Sequence, residues 1–198
     1  FGGSNVTGNV PESHITITDG TIGSIYGGNN AGGTTTTTNV IVNNGTITNI
    51  YGGGNKASST TTNITLNNSR NEISNIFGGC KEANATTTNI TLNDGSANLV
   101  FGGSNTSGTI TTSNVTINDG TYRNIYGGNN DGGQTLTSNI TGTGGSCGTI
   151  FGGGNNAVTN ATHVHVNGTE VTSTIYGGGN NAAVNTDTDV IVNNNSIV

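Results

Sequence analysis

The chain has 198 residues, of which four are basic and ten acidic, giving a formal net charge of −6; 7% are charged and 29% apolar. Lys56, Arg70, Lys81 and Arg123 are scattered and form no basic patch, which argues against nucleic acid as a partner. No apolar run is long enough to span a bilayer, so membrane insertion is not expected.

An aromatic residue followed by two glycines opens the chain at Phe1 and returns at Tyr26, Tyr51, Phe77, Phe101, Tyr126, Phe151 and Tyr176. A period this strict marks a stacked-repeat architecture with units starting at those eight positions. Abundant Gly, Thr and Asn also occur in disordered tracts, but such tracts have no reason to keep β-branched residues in register. After each triplet comes a segment alternating apolar and polar residues, the period of a half-buried strand. Its leading apolar site reads Ile15, Val40, Ile64, Ile90, Val115, Ile140, Val164 and Val190. Two residues on it reads Ile17, Val42, Leu66, Leu92, Ile117, Gly142, Val166 and Val192. A turn follows, Asp119-Gly120 in unit five, and then a short extended piece ending in Ile or Val before the next aromatic. No segment has helical periodicity with caps. The fold class is therefore all-β: a parallel β-helix (β-solenoid) of about eight coils, with two or three short strands per coil. The whole chain, 1–198, reads as one array. With no initiator Met and no signal peptide, it is expected to be a segment of a longer chain or filament.

Polar residues also fall into columns. One holds Asn5, Asn30, Asn55, Asn105, Asn130, Asn155 and Asn180, interrupted by Lys81; another holds Asn39, Asn63, Asn89, Asn114 and Asn139. Identical amides stacked at ~4.8 Å can hydrogen-bond along the axis. A Ser/Thr column (Ser13, Thr38, Thr62, Thr88, Ser113, Ser138, Thr162, Thr188) shares the parity of buried sites, so its hydroxyls must find partners near a corner. The opposite parity gives an outward face with Thr61, Thr65, Thr87, Thr91, Thr112 and Thr116 alternating with Asn. The aromatic triplet reads as a structural ladder at a corner, its glycines allowing a tight or left-handed backbone. Parity puts the ring outside, and a bend would turn it in. Unit three carries an extra residue near Ser69–Glu72. Unit six loses a core side chain at Gly142 and is expected to be the least stable.

Chemistry-bearing groups are sparse. Asp94 and Asp119 share a column, but both sit in turns where their side chains cap the backbone. His163 and His165 lie on one outward face with Asp189 one coil on, a weak candidate for a metal site. Cys80 and Cys147 belong to different coils, beyond disulfide reach. Neither catalytic residues nor a cofactor are indicated, and an enzyme is not expected.

The [Phe/Tyr]-Gly-Gly-x-Asn motif and Thr62-Asn63-Ile64-Thr65-Leu66-Asn67 resemble the Gly/Asn/Thr-rich β-solenoid stalks of large bacterial surface proteins, adhesin-like in architecture. That resemblance implies an extracellular or cell-surface rod. Unpaired strand edges at the coil ends would recruit flanking repeats or further copies end to end. Two other expectations are an ice- or surface-binding protein using the Thr/Asn array, and an adhesin binding surface glycans on exposed tyrosines.

Overall fold

The computed structural model describes residues 1–193 and is a parallel β-solenoid. It holds seven full coils and the first strand of an eighth; the end of the last unit lies outside the described residues. Each full coil has two strands. In coil five they are Thr109–Ile117 and Thr121–Tyr126. The longer strands of the eight coils form one parallel sheet, from Asn9–Ile17 to Thr188–Asn193. The shorter ones form a seven-stranded parallel sheet, from Thr21–Tyr26 to Glu170–Tyr176.

The longer strand turns a corner within itself. In coil three both Ser59 and Thr62 are buried, which straight alternation forbids, and the ladder to coil four skips Thr60 between them. This corner takes the place of a third strand. Beyond it the register is residue for residue: Thr62 with Thr88, Asn63 with Asn89, Ile64 with Ile90. The expected columns are thus the ladder itself.

Between the sheets lies a core of β-branched and leucine side chains, with Ile64, Leu66, Ile73 and Ile76 from coil three fully buried. Tyr122 occupies a site held by Ala97 and Cys147 in the neighbouring coils, so one large ring is seated between two small side chains. Its hydroxyl donates toward the carbonyl of Asp119 at 2.9 Å. Burial raises the pKa of this phenol and pushes the Cys147 thiol up to about 12. Both cysteines are free and buried.

Two irregular units are absorbed locally. A Cβ added at Gly142 would strike Thr169 of the next coil, whose buried hydroxyl donates to the Gly144 carbonyl at 2.8 Å. The side chain missing from coil six is therefore replaced from coil seven. The extra residue in coil three widens its turn, and Arg70 reaches over two coils to Asp19 at 2.6 Å. This ion pair and the Gly20 amide hold the Asp19 carboxyl below the usual carboxylate range, the amide contributing most.

Candidate functional site

The aromatic ladder is continuous. Successive rings from Phe1 to Tyr176 are parallel, with centroids 4.5 to 5.0 Å apart. Parity holds: the rings form a second cluster, packed against Leu99 and separate from the core that takes Ile50 and Ile76. They are nevertheless covered, Phe101 being 1% exposed. Only at the ends of the described stack do rings open to solvent, Phe1 at 58% and Tyr176 at 49%. Because ring faces cover each other, the premise of exposed tyrosines for sugar stacking is lost along the body.

The glycines after the rings correct the expectation of a left-handed backbone. Positive φ occurs instead at turn glycines such as Gly45 and Gly120. At Gly52 the constraint is contact. A Cβ there would collide with the Gly78 carbonyl of the next coil. The first glycine's carbonyl also accepts the buried Ser/Thr column, with Thr62 donating to Gly78 and Thr88 to Gly102, each at 2.6 Å. Those hydroxyls find their partners at the corner, as the sequence requires.

Both expected asparagine ladders form. Asn63, Asn89, Asn114 and Asn139 each donate to the preceding Asn of their column, at 2.9 to 3.1 Å. Beside the rings, Asn30, Asn55, Asn130, Asn155 and Asn180 donate likewise, to Asn5, Asn30, Asn105, Asn130 and Asn155. Lys81 breaks this second ladder. Its ammonium turns to Glu82 at 3.3 Å, and the buried Asn55 Oδ1 is left without a hydrogen-bond partner. Asn105 instead reaches past coil four to the Tyr51 hydroxyl at 3.4 Å. A third ladder runs through Asn43, Asn67, Asn93 and Asn118, at the end of the outward face, where the sequence shows only Thr alternating with Asn. Also unforeseen is the residue after the two glycines. Asn29 and Asn129 are buried and satisfied alike: each accepts from a serine amide at 2.8 Å and donates to two glycine carbonyls of its own loop and the preceding one. Comparing unit one with unit five and unit two with unit six would have revealed this four-coil recurrence.

The acid and histidine candidates do not line the hollow beside Glu12, His14 and Asn39, nor the one beside Thr34, Asn84 and Thr109. Asp94 and Asp119 accept from the amides of Gly95 and Gly120, as turn caps. His163 faces Asp189 at 4.0 Å, and His165 lies 3.3 Å from Asn193. Among the described residues no three His, Cys, Asp or Glu side chains form a group that could hold a metal ion. No family model matches the chain, nor does any curated protein or solved structure.

Proposed function

We propose that this chain is a structural fibre or stalk segment, extracellular or displayed on a cell surface, as in adhesin-like surface proteins. The observation carrying this reading is that three kinds of repeated ladder run along one axis. Ring stack, amide ladders and backbone ladders all join each coil to the next, so length can be added without a new kind of contact. The partner is then more of the same: flanking repeats or other copies placed end to end. Electron microscopy of the native assembly and of this segment tests it. Rods whose fibre diffraction shows a repeat of ~4.8 Å along the axis are expected; compact particles from both preparations would refute the proposal.

A further inference from the structure

Four successive coils carry the same outward triplet on the longer-strand sheet: Thr61-Asn63-Thr65, Thr87-Asn89-Thr91, Thr112-Asn114-Thr116 and Thr137-Asn139-Thr141. The ladder holds them in register. The central asparagines are locked by donating along their own column. The threonine hydroxyls on either side have no hydrogen-bond partner among the described residues. The contrast with the inward column is informative, since Thr62, Thr88, Ser113 and Ser138 are all bonded to a glycine carbonyl. The face is thus two ranks of free hydroxyls fixed by a rigid rank of amides. Rows repeat at ~4.8 Å along the axis, and the two ranks stand ~13 Å apart, four residues of strand at ~3.3 Å each.

We propose that this face binds the surface of a water crystal. Several observations select that occupant. The triplets carry no charge, which disfavours a polyanion. They lie on a sheet face where only the first row, at Asn63 and Thr65, borders a hollow, shared with Glu12, His14 and Asn39; a small ligand held there would leave the other three rows unused. One hydroxyl contact contributes only ~0.5–1.5 kcal/mol net, so a partner must engage many at once and must itself be periodic. A crystalline polysaccharide is periodic too, but sugar rings are held by exposed aromatic faces, and the interior rings here are covered by one another. A water lattice asks only for fixed hydroxyls beside methyl groups, which is what threonine offers. The titratable side chains Glu12, His163 and His165 stand on coils one and seven, outside the array.

The test is ice-affinity partitioning of the 198-residue protein, with the gap between melting and freezing of a seed crystal as second readout. Wild type is expected to enter the growing ice and to open that gap. The double variant Thr91→Lys/Thr116→Lys, at the centre of the array, should lose at least about tenfold in the gap, because neighbouring contacts fail together. Thr48→Lys, at an exposed position of the other sheet, should retain it. Urea unfolding checks the fold of each. Should the lysine pair unfold, Thr91→Val/Thr116→Val removes the hydroxyls at nearly constant volume and should still narrow the gap. Wild type excluded from ice, a double variant that keeps full activity, or capture by crystalline cellulose in place of ice would each overturn the proposal, and none of them bears on whether the chain forms a rod.

Discussion

Coils touch one another in two ways, and the two differ in what they tolerate. At the glycine corner, backbone meets backbone. A Cβ on Gly27, Gly52, Gly78, Gly127 or Gly152 would collide with the carbonyl of the corresponding glycine one coil on. No side chain fits, and the eight units show no exception. In the asparagine ladders, side chain meets side chain, and coil four carries Lys81 in place of an amide. The consequence is confined to one unbonded oxygen on Asn55 and one long bond from Asn105 to Tyr51. Close backbone approach is therefore an all-or-none joint, whereas a ladder can fail at one rung and resume at the next.

The sharpest way to break this contrast is Gly78→Ala. The added methyl meets the Gly102 carbonyl, which is backbone and cannot rotate away. A loss of about 3 kcal/mol or more is expected from overpacking, read by urea unfolding. Because a solenoid is held by nearest neighbours, hydrogen exchange should show the loss concentrated at coils four and five. A variant within ~0.5 kcal/mol of wild type, the range of ordinary surface changes, would show that the corner is no stricter than the ladders.

The unbroken ladder should respond less. Asn89→Ala removes the donor to Asn63 and the acceptor for Asn114. With both partners half-buried, the expected cost is about 2 kcal/mol. The broken ladder gives the converse. Lys81→Asn should supply the missing donor to Asn55 Oδ1 and stabilise by about 1 kcal/mol; the partly exposed, solvent-screened Lys81–Glu82 pair it sacrifices contributes little. A higher melting temperature checks this, and a lower one would mean that the lysine does more than interrupt.

What the sequence reveals and what it conceals divide along the same line. Columns are legible because parallel in-register pairing copies position onto position: Ile64 on Ile90, Asn63 on Asn89. The buried Ser/Thr column is legible too, since parity alone forces Thr62 inward. Properties that arise between coils are not. Parity puts the rings on the outer side, but only their mutual stacking hides them. The two glycines suggest unusual dihedral angles, yet at Gly52 the constraint is a neighbour's carbonyl. Gly142 suggests a hole, which Thr169 of the following coil fills. For the candidate surfaces, the sequence locates the Thr/Asn face; which hydroxyls are free follows only from the bonds.

The smallest effect, Tyr51→Phe, separates the rung from the ring. The stack on Tyr26 and Phe77 is kept and only the long bond from Asn105 is lost. At neutral pH the cost should not exceed ~0.5 kcal/mol, at the low end for a hydrogen bond. At high pH the sign reverses. Burial, and secondarily the neighbouring Tyr26, raises the Tyr51 pKa above its ordinary 10.0, while the favourable bond from Asn105 works the other way. The folded state then holds this proton more tightly than the unfolded one. The contribution is fully present below about pH 10 and is lost as pH rises through the folded value. The phenylalanine variant has no such proton and should lose less stability between neutral and strongly alkaline pH. Urea midpoints for both proteins across that range check the crossover. Parallel curves would show that the phenol ionises as freely in the stack as in water, and that the ring ladder leaves its para edge open.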